Sequence, residues 1–179
     1  MGRLWLFEDI TVERQTQRLV HHLAERDSLT GLLNRHTFTT VLAARTAPGC
    51  EPLALFFIDL DGFKLVNDLN GHALGDRLLK GVGNALSMTF RPEDALARLG
   101  GDEFAVAMTG LGAEPEQLAG ICERLLRNVA SASGSAMAYS SHAVKSSCSI
   151  GVAWYPKDAQ YADSLIAAAD QAMYTAKAA

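Results

Sequence analysis

RLGGDEF, residues 98–104, sets two glycines directly before two carboxylates. Short apolar stretches flank it, at 95–99 and at 104–108. Gly-Gly and Gly-Asp are turn chemistry, so the two stretches predict a pair of strands joined by a tight tip. On that reading the heptapeptide is only a hairpin. A second reading is a site where permissive backbone approaches a phosphate while the carboxylates hold a metal. The heptapeptide alone does not choose between them, and the decision rests on the residues around it.

The chain has 179 residues, 49% hydrophobic and 20% charged, which fits one globular domain with a short appendage. The net charge of −4 gives no global basic field for a nucleic-acid polymer or an anionic membrane. The longest apolar run, 53–58, is too short for a membrane segment. The opening MGRLWLFEDI lacks the apolar core and small-residue cleavage site of a secretion signal. Cys50, Cys122 and Cys148 are odd in number and show no CxxC spacing. They read as reduced thiols of a cytoplasmic protein, and they argue against zinc.

Outward from the hairpin, PLALFFIDLD is a continuous apolar run closed by acids, the pattern of a strand buried on both faces. Leu74, Leu78, Val82 and Leu86 recur at fourfold spacing and predict a helix over 72–89. Leu118, Ile121, Cys122, Leu125, Leu126 and Val129 predict another over 114–130. SASGSAMAYSSHA, small and polar, predicts a loop. Cys148, Ile150, Val152 and Trp154 alternate as a strand ending at Pro156, and a last helix runs over 163–177 along Leu165, Ala169, Met173 and Ala176. Near the start, Asp27 or Ser28 caps a turn broken by Gly31, and a helix follows through Phe38, Val41 and Leu42. Residues 1–9 resemble a strand without a partner, and 10–26 a polar helix with a faint heptad through Val12 and Leu19.

Without the N-terminal helices the order is β-α-β-β-α-β and a helix, the split βαβ, ferredoxin-like arrangement of an α+β fold with a central antiparallel sheet flanked by helices. Its first strand neighbours the hairpin, so Asp59 and Asp61 are expected beside Asp102 and Glu103. Carboxylates without histidine or cysteine select a hard cation, Mg²⁺ or Mn²⁺, and Mg²⁺ favours one or two carboxylates plus substrate phosphates. DLDGFK supplies the complement: Gly62 frees backbone N–H groups for phosphate and Lys64 adds charge. Asn67 and Asp76 could match the donor and acceptor edge of guanine. Equally, Asn70-Gly71 could be a plain loop and Asp76 a first-turn acid favoured by the helix dipole.

DSLTGLLNR, FFIDLDGFKLVNDLNGHALGD, RLGGDEF, CSIGVAWYP and ADQAMYTAK occur in one register over residues 27–177. Together they resemble the GGDEF domain of diguanylate cyclases. The resemblance implies a palm fold related to nucleotidyl cyclases and polymerases, and condensation of two GTP into cyclic di-GMP with loss of two pyrophosphates. It assigns the metal to Asp59, Asp102 and the Leu60 carbonyl. Glu103 is implied as a further metal ligand or as an aid to deprotonating the 3′-hydroxyl. The loop Gly62, Phe63 and Lys64 is implied to bind triphosphate, Asn67 and Asp76 to read guanine, and Gly100 and Gly101 to let backbone lie against the nucleotide. Lys177 is implied to pair with terminal phosphates. His72 belongs to the motif and reads best as a helix-start or packing residue. RPED, residues 91–94, resembles the RxxD site through which the family binds its own product, with Arg91 and Asp94 as the contacts.

One domain holds one GTP, so a homodimer with facing sites is expected for catalysis. The resemblance also sets an alternative: a catalytically weak domain that senses GTP or cyclic di-GMP. The family usually continues beyond its lysine with a phosphate-binding arginine that this sequence does not contain, which predicts weaker triphosphate binding. Residues 1–26 resemble the last strand of a PAS domain and its exit helix, leaving 27–179 as the cyclase domain of a longer sensor protein.

Overall fold

The computed structural model describes residues 25–111, 115–138, 140, 142 and 146–178. The strand and helix expected over residues 1–26 fall, but for Glu25 and Arg26, outside these residues. The elements in chain order are α1 (Arg35–Arg45), β1 (Leu53–Asp61), α2 (Phe63–Asn70), α3 (His72–Thr89), β2 (Ala95–Gly100), β3 (Glu103–Thr109), α4 (Pro115–Met137), β4 (Ser147–Tyr155) and α5 (Ala162–Lys177). Among the described residues no helix is long and apolar enough to cross a membrane.

The strands form one sheet in the order β2-β3-β1-β4, and every neighbouring pair is antiparallel. This is the split βαβ topology: β1 and β2 run parallel with β3 between them, and β3 and β4 run parallel with β1 between them. The unbroken apolar run of β1 has its reason in this placement. Ala54, Phe56, Ile58 and Leu60 enter a core with Leu78, Val82 and Leu86 of α3 and Leu125 and Val129 of α4. Leu53, Leu55 and Phe57 enter a second core with Phe38 and Leu42 of α1 and Leu165, Ala169 and Met173 of α5. Helices therefore cover both faces, and a strand so covered carries no polar alternation.

Two expectations are corrected. DGFK is not an open loop: Gly62, at φ 75°, is the N-cap of α2, an eight-residue helix too short to announce itself by periodicity. The loop expected over 131–143 is helical through Met137, because Ser133 and Ala136 are buried and extend the packed face of α4. β4 ends at Tyr155, just before Pro156, as expected; Cys148, Ile150, Val152 and Trp154 pack on one core, and Ala153 and Tyr155 are buried on the other face. That second face lies under α5 at very close range. A Cβ on Gly151 would stand 2.1 Å from the Ala169 carbonyl oxygen and 2.2 Å from the Met173 nitrogen.

The free edge of β2 is covered locally. Asp27 Oδ1 accepts from Thr30 N at 2.9 Å and Thr30 Oγ1 at 2.6 Å, and Gly31 turns the chain at φ 74°. Leu33 then donates to Leu96 O at 3.0 Å and accepts from Arg98 N at 3.0 Å. Asp27, not Ser28, is thus the capping residue, and its turn blunts a sheet edge that would otherwise be open for pairing.

Candidate functional site

The register of β1 and β3 decides where the acids meet. Asp59 stands opposite Glu103, and the Leu60 N–H donates to the Asp102 carbonyl at 3.3 Å. The end of β1 and the hairpin tip therefore share one sheet edge, as the topology required. Asp61 is the exception. Its carboxylate accepts from Ser147 Oγ at 2.7 Å and Ser149 Oγ at 2.9 Å, so it is committed to β4 and not to the tip. Lys177, in the last turn of α5, forms an ion pair with Asp59 and lies 3.8 Å from Asp61.

Gly100 and Gly101 have φ of 149° and 50°, backbone that other residues adopt only under strain, so the tip needs them whatever it binds. Two arginines grip it. Arg98 donates through Nε and Nη2 to the Gly101 carbonyl at 3.0 and 2.8 Å, while its Nη1 meets both carboxylate oxygens of Asp27 at 3.2 and 3.1 Å. Arg35 donates from Nε to the Leu99 carbonyl at 2.9 Å and from Nη2 to Glu103 Oε2 at 3.0 Å. Sequence reading gave neither arginine a role. Each does lie inside a quoted motif, but the partners of Arg35 and the Asp27 partner of Arg98 stand 64 to 71 residues away and leave no local signal; only the Gly101 carbonyl is near Arg98 in the chain.

The site carries an excess of acid. Burial, followed by the nearby Asp59 charge, pushes the Asp102 carboxyl above its usual value despite a hydrogen bond from its own backbone. Burial also raises Glu103; Arg35 opposes this, and the charges of Asp102, Asp170 and Asp59 add to it. The Lys177 ammonium is raised chiefly by its hydrogen bond to Asp59. Among the described residues no three acid, histidine or cysteine side chains form a metal cage. Mg²⁺ and Mn²⁺ are satisfied by one or two carboxylates when phosphate oxygens complete the shell. Asp59 and Asp102 with the Leu60 carbonyl are an all-oxygen set of this kind.

Beside these acids, α2 begins at Gly62 with no side-chain cap, so its first N–H groups have no side-chain acceptor from the N-cap. Together with the exposed Lys64 they make a helix N-terminus suited to an anion. Gly71, at φ 78°, is both the C-cap of α2 and the N-cap of α3, and it folds the two helices into a tight pair carrying Asn67 and Asp76. Asp76 lies beyond the first turn of α3, which removes the helix-dipole account of that acid. His72 is the first residue of α3, exposed at the helix start as expected.

Arg91 and Asp94 lie at the other end of β2 from the acids. The Asp94 N–H donates to the Arg91 carbonyl at 3.1 Å and Asp94 Oδ2 accepts from the Arg91 N–H at 2.9 Å, closing a turn. Asp94 is only 6% exposed, and among the described residues its Oδ1 has no hydrogen-bond partner. Burial raises its pKa against that backbone hydrogen bond. Both residues line a cleft of about 520 Å³ with Phe90 and Arg124, whose Nη2 donates to the Thr89 carbonyl at 3.1 Å. Arg124 is a further basic residue that the sequence reading did not single out. A cleft of about 620 Å³ between α1 and α5, lined by Thr46, Tyr155 and Tyr161, holds none of the expected site residues.

Comparison with known proteins gives a consistent result. Residues 24–179 match the family described as "Diguanylate cyclase, GGDEF domain". The chain is 38% identical over 170 residues to the bifunctional diguanylate cyclase/cyclic di-GMP phosphodiesterase MucR of Pseudomonas aeruginosa, covering 93% of this chain and 24% of that protein. A solved structure of a sensory box/GGDEF family protein from Caulobacter crescentus superposes with a TM-score of 0.74 at 39% identity, over 86% of this chain and 98% of that one. The coiled coil and GGDEF domain of DgcB from Caulobacter crescentus, solved in complex with c-di-GMP, gives a TM-score of 0.79 at 28% identity, over 93% and 88% of the two chains. The chain thus spans about a quarter of the length of its curated relative.

Proposed function

The chain belongs to the GGDEF, diguanylate cyclase, family, and we propose that it condenses two GTP into cyclic di-GMP and two pyrophosphates. One observation supports this most directly. Asp59 and Asp102, 43 residues apart in sequence, meet at the sheet edge from which the uncapped N-terminus of α2 begins. A hairpin alone would not need that convergence.

In this reading the first-turn amides of α2 and Lys64 hold the triphosphate. Asn67 and Asp76 take the guanine edge, and the glycine backbone of the tip lies against the nucleotide. Asp59, Asp102 and the Leu60 carbonyl hold a divalent cation, Mg²⁺ or Mn²⁺, which supplies electrostatic stabilisation of phosphoryl transfer when bound. Glu103 receives the proton of the attacking 3′-hydroxyl. Its bond to Arg35 orients the carboxylate at the start of β3. Lys177, the counter-charge of Asp59, takes the terminal phosphates once the acid is neutralised.

Each domain presents one nucleotide, so two copies face one another and shut water out between them. The cleft at Arg91, Asp94 and Arg124 is the product site, remote from the acids. GTP as substrate places the reaction in the cytoplasm. The intact acid set favours catalysis over a domain that only senses nucleotide.

Incubation with GTP and Mg²⁺, followed by mass analysis, tests the reading. Cyclic di-GMP and pyrophosphate are expected from GTP and not from ATP. The Asp102→Asn protein should make neither and should melt no lower than the parent, because the substitution removes a charge that burial disfavours. Binding of GTP without turnover by the parent would turn the assignment to the sensor.

A further inference from the structure

Gly75 stands inside α3, four residues after the Gly71 turn, and it is buried. Glycine is a poor residue for a helix interior, and alanine would favour the helix. Something at this position must exclude a side chain. A Cβ built there would lie 2.0 Å from Asn67 Oδ1, 3.0 Å from Asn67 Cγ and 3.3 Å from Phe63 Cζ. The first distance is impossible for atoms that are not bonded. Elsewhere in α3 a Cβ at Gly81 or Gly83 would meet nothing nearer than 3.4 and 3.2 Å. The obstacle at Gly75 is thus the carboxamide of a side chain that reaches across from α2.

We infer that Gly75 is a positioning residue for base specificity: the space left by its missing Cβ seats the Asn67 carboxamide next to Asp76 and aligns the two for one purine edge. The inference rests on the reading of Asn67 and Asp76 as the guanine contacts. Gly75 touches no base itself. It fixes the one arrangement in which an amide from α2 and a carboxylate from α3 address the same ligand. A methyl group there forces the amide out of its seat while leaving the amides of Gly62, Phe63 and Lys64 available to the triphosphate.

The test uses Gly75→Ala, Asn67→Ala and the double variant, with affinity for a non-hydrolysable GTP analogue and for its ATP counterpart measured by calorimetry and folding followed by thermal unfolding. Each single variant is expected to weaken the GTP analogue by roughly tenfold, as loss of a hydrogen bond or two implies, and to draw the guanine-to-adenine ratio toward one. The double variant is expected to bind no more weakly than Asn67→Ala, because the collision vanishes with the amide. Parental affinity in Gly75→Ala, or additive losses in the double, overturns the inference while leaving the guanine reading intact. Parental affinity and ratio in Asn67→Ala overturn the guanine reading, and the inference with it. If Gly75→Ala does not fold, the double should; a double that also fails to fold shows that Asn67 is not the obstacle.

Discussion

Arg35 clamps Glu103 across the hairpin tip, its Nη2 3.0 Å from the carboxylate while its Nε holds the Leu99 carbonyl at 2.9 Å. One guanidinium thus ties the strand entering the tip to the first residue leaving it. The ion pair itself is largely exposed, at 59% and 37% for the two side chains, so it adds at most about 1 kcal/mol to stability. Its value lies in orientation. Arg35→Ala is expected to lower kcat by about ten- to hundredfold, in line with the cost of small misplacements at a reacting centre. KM for GTP and the melting temperature should stay near parental values. Steady-state kinetics with a thermal melt would check this, and an equal loss through KM would move Arg35 into nucleotide binding.

Arg91 lies away from the acids, so Arg91→Ala should leave the initial rate with GTP nearly unchanged. It removes a charge-assisted contact to product, which predicts affinity for cyclic di-GMP weaker by roughly 1.5–3 kcal/mol. Progress curves of the variant should continue where the parent stalls. Calorimetry with equal affinities for both proteins would reduce RPED to a turn.

Two aspartates predict opposite responses to pH. Asp94 is raised above 3.8 by burial, so its charge opposes folding at neutral pH, and the penalty fades as pH falls through the raised value toward 3.8. Asp94→Asn keeps an acceptor for the Arg91 N–H and is expected to melt higher than the parent at neutral pH, with the gain disappearing in acid. Burial alone would also raise Asp27, but the Thr30 and Arg98 contacts outweigh it and hold Asp27 below 3.8. Its stabilisation is complete above 3.8 and is lost as pH falls through the lowered value. Asp27→Asn should therefore melt lower than the parent at neutral pH and converge with it in acid. Melting curves across this range that move together would contradict both assignments.

Gly151→Ala places a methyl group against the α5 backbone, where no flexible side chain can give way. Overpacking of this kind costs about 1–3 kcal/mol, and more where backbone is the obstacle. Chemical denaturation should show the loss. Because α5 carries Lys177, triphosphate affinity should fall as well. A variant with parental stability would mean that α5 can lift off β4 freely.

The sequence made the sheet legible because β1 is a continuous apolar run closed by acids and the hairpin is two short apolar stretches around a strong turn signal, and α3 and α4 repeat their apolar residues over several turns. The same signals placed Asp59 and Asp102 together before any coordinates. α2 escaped because eight residues give hardly two turns of pattern. The end of α4 escaped because its buried residues are serine and alanine, which carry little hydropathy. Arg35 and Gly151 act through partners that only tertiary folding brings near, as Arg98 does through Asp27, while Gly75 meets a side chain of the helix just before its own, so no pattern beside them in the chain reveals what they touch.

β1 belongs to two cores at once, and this has a consequence for how the sheet finds its alignment. A strand with one greasy side is held in register because a slip of one residue would turn that side to water. β1 has no such safeguard over residues 53–58, where both sides are apolar. Its safeguard is at the end. A slip of one would swing Asp59 into the place of Ile58 or Leu60, both essentially fully buried, and would strip Asp61 of the two serines that hold it. A carboxylate without partners in an apolar core is among the most expensive errors a fold can make. The acids that give this edge its chemistry thus also act as a vernier, the only marks on an otherwise uniform scale that tell β1 where to stop.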